Sequence, residues 1–420
     1  MFKEIVFILL SIPIALSAQN FSARDYILES ESNFLNGNWE ATISAINKAL
    51  EENINYPILH YRKAISLYNL SRYKEALVEF ELYEEENKRD PYVDIYKYYC
   101  YYFQELYIEA LESVSKGHKY ARYKVNYQKP KILESVAFEG ANRYSSMPDS
   151  IRKLVYFNFN STHQITHRIR INTQIVNLKQ PLYWGNFYQN QFLIGGSYYL
   201  GKRTFLEASF HHTQMEGRFD QDVSIKRLNT IMDTLYGSLE GVGNNFYLGF
   251  SKFHKDWNLK TLVNKYQFHT TNIQTYGKPL SSDTIVEHDT TFTSKHNTMQ
   301  IGIQGSYNKS NWTFSLLTML HLNDSNYDFL IKPSANYQMG NWIFYGDYAK
   351  IGFNHYAEEN GALLSNIQDI TNHRFNIQVQ RKMDNNIWIQ GLLQQDWRTE
   401  TNLLKSYKTR TLLIGLKMNL

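Results

Sequence analysis

Ser209 and His211 stand two residues apart in the stretch LEASFHHTQ. In an extended chain that spacing puts both side chains on one face, where a hydroxyl and an imidazole can act as nucleophile and base. On the lipid-facing wall of a barrel, near its rim, such a pair would suit a lipid hydrolase. Their same-face neighbours are Glu207 and Thr213, whereas Ala208 and Phe210 share the other face. That parity predicts a polar inner face for the pair. His211 and His212 are adjacent and point apart, so they make poor co-ligands for a metal. His288, Asp289 and His296 fall in one polar stretch read as a solvated loop. No His-Glu-x-x-His helix occurs, and the glycine-rich GSLEGVGNN from Gly237 lacks the Lys-Ser/Thr of a phosphate loop. Neither a catalytic residue, a metal site nor a cofactor is therefore expected. A lipid hydrolase remains an alternative.

Aromatic chemistry is more prominent. The 420 residues include 33 Tyr, 24 Phe and 7 Trp, or 15% aromatic. Trp257, Trp312, Trp342 and Trp388 each follow a polar, turn-forming pair and open a strand-like run. Trp collects at membrane interfaces, where an apolar ring with one N–H suits a half-wet layer. These four read as an interface girdle. Trp312 shares its face with Phe314, Leu316 and Leu320. Trp388 shares its face with Gln390, Gln394 and Asp396, so only a bulge would turn it outward.

Bulk composition excludes several classes. The 44 basic residues nearly balance 40 acidic ones, for a net charge of +4, which argues against a nucleic-acid binder. Mean hydropathy is −0.47, too low for a bundle of membrane helices. The single cysteine, Cys100, excludes an internal disulfide. At the start, MFK precedes the apolar run IVFILLSIPIAL, and SAQN offers cleavage after Ala18. Residues 1–18 are thus expected to be a signal peptide.

The elements that position these residues divide near residue 150. Residues 21–122 carry a helical period and a second period of 34 residues: Trp39, Tyr73 and Tyr107 recur at it, as do Thr42, Ala76 and Ala110, and Ile46, Phe80 and Val114. Pro57 and Pro91 keep the same spacing. About three repeats resemble the tetratricopeptide repeat, in which a small residue allows close helix approach and a large one fills the gap beside it. The resemblance implies packing roles for Trp39, Tyr73, Ala76, Phe80, Tyr107 and Ala110. It also implies a groove lined by Tyr61, Tyr68, Tyr99, Tyr102 and Phe103 that would bind an extended peptide or a partner helix. The third repeat departs from the pattern, having Glu105 where glycine usually joins the helices.

Residues 123–150 read as a linker, with room for one short strand at ILESVAFEG. From 151 to 420 the period becomes two. FNIQVQ from Phe375 and the terminal TLLIGLKMNL alternate apolar with polar residues. Segments of about ten alternating residues, split by turns, are the signature of a transmembrane β-barrel, although a secreted β-sandwich also alternates. Twelve or so strands are expected, beginning near 165. Short turns alternate with longer polar loops, chiefly 218–243 and 273–295. Arg168, Arg170, Lys252, Lys265, Arg374, Arg381, Lys408, Arg410 and Lys417, with Glu207, Asp347 and Asp396, are expected to line the lumen.

The expected fold is α + β multidomain: N-terminal α-helical tetratricopeptide repeats, then an antiparallel transmembrane β-barrel of about 12 strands. The architecture resembles YaiO-type outer-membrane proteins. This implies a barrel surrounded by outer-membrane lipid, with a periplasmic repeat domain that docks a partner protein or peptide. The role would be anchoring, or transport across the outer membrane. A soluble secreted β-protein is the other alternative.

Overall fold

The computed structural model describes residues 23–88, 90–146, 154–182, 185–220, 233–279, 285–323, 326–353, 356–357, 364–365, 370–384, 386–399 and 405–420. The expected signal peptide lies outside the described residues. The chain divides between Lys129 and Pro130 into two compact units.

Unit one is helical: α1 (Ala23–Leu35), α2 (Trp39–Glu51), α3 (Pro57–Asn69), α4 (Tyr73–Glu86), α5 (Pro91–Phe103), α6 (Tyr107–Ser115) and α7 (Lys119–Lys124). The helix starts explain the 34-residue period. Trp39, Tyr73 and Tyr107 each open a helix, and Pro57 and Pro91 occupy the first position of the helices between them. Proline suits that position because its missing N–H would have had no partner there. The turns keep the same spacing: Gly37, Ser71 and Glu105 all adopt the left-handed conformation, with φ of 72°, 60° and 59°. Only the first is glycine, so Ser71 and Glu105 hold it at a steric cost. Ala64, Ala76, Phe80, Val93 and Cys100 lie at 0% exposure in the main core.

Unit two is a closed antiparallel barrel of 14 strands. They are β1 (Ser135–Ser145), β2 (Leu154–Gln164), β3 (Ile169–Leu182), β4 (Gly185–Gly201), β5 (Thr204–Asp220), β6 (Asp233–His254), β7 (Trp257–Pro279), β8 (Ile285–Lys309), β9 (Trp312–Asn323), β10 (Asn326–Met339) and β11 (Trp342–Phe353). A two-stranded pair, β12 (Tyr356–Ala357) and β13 (Leu364–Ser365), intervenes. Then follow β14 (Ile370–Lys382), β15 (Ile387–Thr399) and β16 (Ser406–Asn419), and β16 closes on β1. Closure leaves no unpaired edge.

The count of about 12 is corrected to 14. The twelve expected strands are present; of the two additional ones, β1 extends the short strand expected at ILESVAFEG within the linker, and β2 comes from the linker's flank. β1 carries small residues, Ala137, Gly140 and Ala141, that blur the period. β2 opens on Leu154-Val155-Tyr156-Phe157, apolar on both faces, so only Asn158 and Asn160 mark the alternation.

Two expected loops also prove different. Residues 233–243 and 273–279 are strand, as are 285–295. Thus β6, β7 and β8 run 22, 23 and 25 residues, roughly twice the 9–11 that cross a membrane. Their polar character marks strands that continue beyond an apolar band.

Candidate functional site

Three surfaces bear on function: the barrel's outer wall, its inner wall, and an aromatic face on the helices.

Side chains alternate between the two walls along every strand. On β9, Trp312, Phe314 and Leu316 face outward and are exposed, whereas Leu317, Met319 and His321 face inward and are buried. β16 turns Leu412, Ile414, Leu416 and Met418 outward, opposite Tyr407, Thr409 and Thr411. Outward-facing exposed aliphatics recur on β4, β6, β8 and β10, including Ile194, Leu248, Ile301 and Ile331.

Trp257, Trp312 and Trp342 stand at the first outward position after a two-residue turn. Each is held by a ring or cation: Trp257 meets Tyr307 at 4.7 Å, Trp312 meets Tyr337 at 4.5 Å, and the Arg381 guanidinium lies 4.9 Å over Trp342. Trp388 is a correction to the expected girdle. No bulge interrupts the β15–β16 register, where Trp388 pairs with Lys417, and Gln390 on the same face donates to Glu139 in the lumen. Trp388 therefore points inward. Trp397, two strands' width from Tyr348, was not singled out by sequence. It faces outward toward the loop side beside His373, whose Nδ1 lies 2.8 Å from the Tyr348 hydroxyl. The missing signal was register: only pairing shows that Tyr348, His373 and Trp397 share one side of the wall.

The inner wall is divided. Glu207 accepts from Lys260 at 2.7 Å, Tyr247 at 2.8 Å and Ser251 at 3.0 Å. Ser209 and His211 lie on this inner face, as parity required, and His211 is buried. That wall is away from the outward surface on which the lipid-hydrolase alternative depends. Across the lumen's other side, Asp396 is fully buried and bridges Arg374 at 2.8 Å and Arg398 at 2.6 Å. Asp347 accepts from Asn376 at 3.1 Å. Between these networks sits an apolar inner patch of Leu262, Leu317, Met319, Leu330, Ile351 and Phe353. The expected charged lining is thus only partly right. Arg170, Arg374, Lys417, Glu207, Asp347 and Asp396 face inward. Lys252, Lys265, Arg381, Lys408 and Arg410 face outward, and Arg168 sits in the β2–β3 turn. Strand parity, fixed by the cross-strand register, decides each case.

The helical unit carries a run of contacting aromatics. Tyr68 packs against Tyr73 at 5.8 Å and Tyr96 at 5.0 Å; Tyr73 stacks on Phe103 at 5.3 Å; Tyr99 stacks on Phe103 at 6.0 Å. Tyr102 meets Tyr107 at 5.3 Å. Tyr61 and Tyr68 are half-buried against the core, and burial pushes both phenols up to about 12. Tyr102, Phe103 and Tyr107 remain 43%, 51% and 53% exposed. The structure therefore separates the expected groove into two parts: Tyr61 and Tyr68 brace the helices, while Tyr102 and Phe103, joined by Tyr107, present a free apolar face. Trp39 contacts Phe34 at 5.8 Å, and Ala76, Phe80 and Ala110 are buried.

No protein-family model matches this chain, and no curated protein matches it. Among solved structures it is similar to the Pseudomonas putida toluene transporter TodX, at 9% identity over 70% of this chain and 91% of that one, with a TM-score of 0.47. It is also similar to the CymD monoaromatic hydrocarbon channel, at 9% identity, 70% and 89% coverage, and a TM-score of 0.46. A Pseudomonas aeruginosa FadL homologue gives 6% identity, 73% and 94% coverage, and a TM-score of 0.42. With scores below 0.5, neither the fold nor the function described for this chain rests on them.

Proposed function

We propose that this chain is an outer-membrane β-barrel that anchors a periplasmic docking unit. One observation carries the membrane reading: the barrel is apolar outside and largely polar and ionic inside. A soluble barrel reverses that order, because its outer wall meets water. Closure supports it, since lipid offers no partner to an open strand edge. Short turns with Trp257, Trp312 and Trp342 mark the periplasmic side. An even strand count brings Ser135 and Asn419 to that same side, which is why we assign the helical unit to the periplasm.

Anchoring fits the lumen better than an open pore. Inward side chains toward the loop side are almost wholly buried, including Tyr266, Gln300, His321 and Asp396. Toward the turn side, Gln378, Gln380 and Gln390 are half-exposed. The lumen is thus packed toward the loop side, and at the turn side it is open along β14 and β15 but buried at Tyr199, Ser251 and Ser306. The helical unit, similar in its 34-residue period to tetratricopeptide repeats, offers Tyr102, Phe103 and Tyr107 to an apolar segment of a partner.

Cell fractionation tests the membrane reading. The full chain should sediment with outer membranes and resist a carbonate wash. Recovery from the soluble periplasm or the medium would reject it.

A further inference from the structure

Besides Arg218, which is paired with Glu216, six outward-facing cations stand on the loop side of the barrel among the described residues: Lys179, Lys265, Lys295, Lys350, Lys408 and Arg410, all exposed. Their level follows from register. Lys265 is eight residues beyond Trp257 on β7, and Lys350 is eight beyond Trp342 on β11. Eight residues on a strand tilted about 40° climb roughly 20 Å, close to the ~25 Å height of a barrel's apolar band. The outward positions passed on the way are Leu259, Thr261 and Val263 on β7, and Phe344, Gly346 and Tyr348 on β11. On β16, Arg410 and Lys408 follow Leu416, Ile414 and Leu412 in the same way. On β7 and β16 the cations begin where the outward apolar run ends; beside Lys350 that run continues on β10 to Phe329 and Tyr327, and Lys295, paired with His269, stands four residues further toward the loops than Lys265.

They also sit among aromatics. Lys350 pairs with His373, His373 with Trp397, and Trp397 with Lys408, so one ladder row across four strands reads cation, imidazole, indole, cation. The Lys179 ammonium lies 5.3 Å over the Tyr188 ring. None of the six forms an ion pair among the described residues. The outward carboxylates near this level, Glu216 and Glu240, stand opposite each other in the β5–β6 register, and Glu216 holds Arg218 at 2.9 Å. The collar thus has a surplus of positive charge directly above an apolar surface.

We infer that this collar binds the phosphate groups of phosphorylated glycolipid in the outer leaflet. Charge complementarity selects that occupant: the collar's neighbours below would be acyl chains, and a cation at that boundary meets the headgroup layer. A soluble polyanion would not require the cations to follow the edge of an apolar band. The inference rests on the outer-membrane reading.

The test uses the full chain reconstituted into phosphatidylcholine vesicles containing either bis-phosphorylated lipid A or its dephosphorylated form. Phosphorylated lipid A should raise the temperature at which the folded band is lost on unheated gels, and the dephosphorylated lipid should not. The variant Lys350→Gln, Lys408→Gln, Arg410→Gln should lose roughly tenfold or more in lipid A affinity. An equal charge change on the helices, Lys48→Gln, Lys74→Gln, Lys119→Gln, should leave affinity unchanged. Insertion without phosphate dependence, or equal loss in both variants, overturns the collar alone. Failure to insert into any vesicle overturns the membrane reading and the collar with it. Should the triple variant not fold, Lys350→Gln and Lys408→Gln singly must each lower affinity, or the collar is rejected.

Discussion

At the residue scale, the helical unit makes two clear commitments. Cys100 is fully buried, and burial pushes its thiol up to about 12. A thiolate is the reactive form, so Cys100 should stay unlabelled by maleimide at neutral pH until the helices unfold. Labelling of the native chain within minutes would contradict the packing. Glu105 holds a φ of 59° at a turn where Gly37 holds 72°. Replacing it with glycine removes a Cβ clash, so Glu105→Gly should raise the stability of the helical unit by about 1 kcal/mol in urea unfolding. The sequence had marked Glu105 only as a departure from the repeat. The structure shows that the backbone kept the turn and accepted the strain.

At the scale of elements, legibility followed the strength of each period. The helices were readable because an aromatic opens every second one and proline opens those between. Most strands were readable because a two-residue period survived in them. β2 was not, since an apolar run concealed its faces, and β1 was legible only as a short strand at ILESVAFEG, because small residues blur the rest of its period. The extended ends of β6–β8 were hidden for the opposite reason. Polar residues on both faces look like loop, although cross-strand pairing keeps them extended. Inner packing depends on features that no linear pattern displays. Gly302 faces inward on β8, and a Cβ there would come within 2.7 Å of Met319 Cγ and 3.1 Å of Leu262 Cδ1. Gly305 faces outward with nothing within 4 Å. Gly302→Val should therefore cost about 1–3 kcal/mol through overpacking, while Gly305→Val should be close to neutral. The temperature at which the folded band disappears on unheated gels would rank the two; equal losses would contradict the wall's asymmetry.

At the scale of the molecule, a barrel whose lumen is packed at Tyr266, Gln300, His321 and Asp396 should not conduct steadily. Purified full chain in planar bilayers is expected to show no sustained open channel. A large, stable conductance would move the reading from anchor to transporter, with the apolar inner patch around Leu262 and Met319 as part of the path. Neither outcome alters the more basic claim, that the outer wall lies in lipid with Trp312 at one boundary and Trp388 turned inside. That claim is tested most directly by fluorescence in vesicles of lipids brominated at defined depths. Two variants are needed, one keeping only Trp312 and the other only Trp388, with the remaining tryptophans changed to Phe. Trp312 should be quenched most by lipids brominated near the interface, and Trp388 should be quenched weakly at every depth. Absence of quenching at Trp312, or equal quenching of the two, would contradict the account.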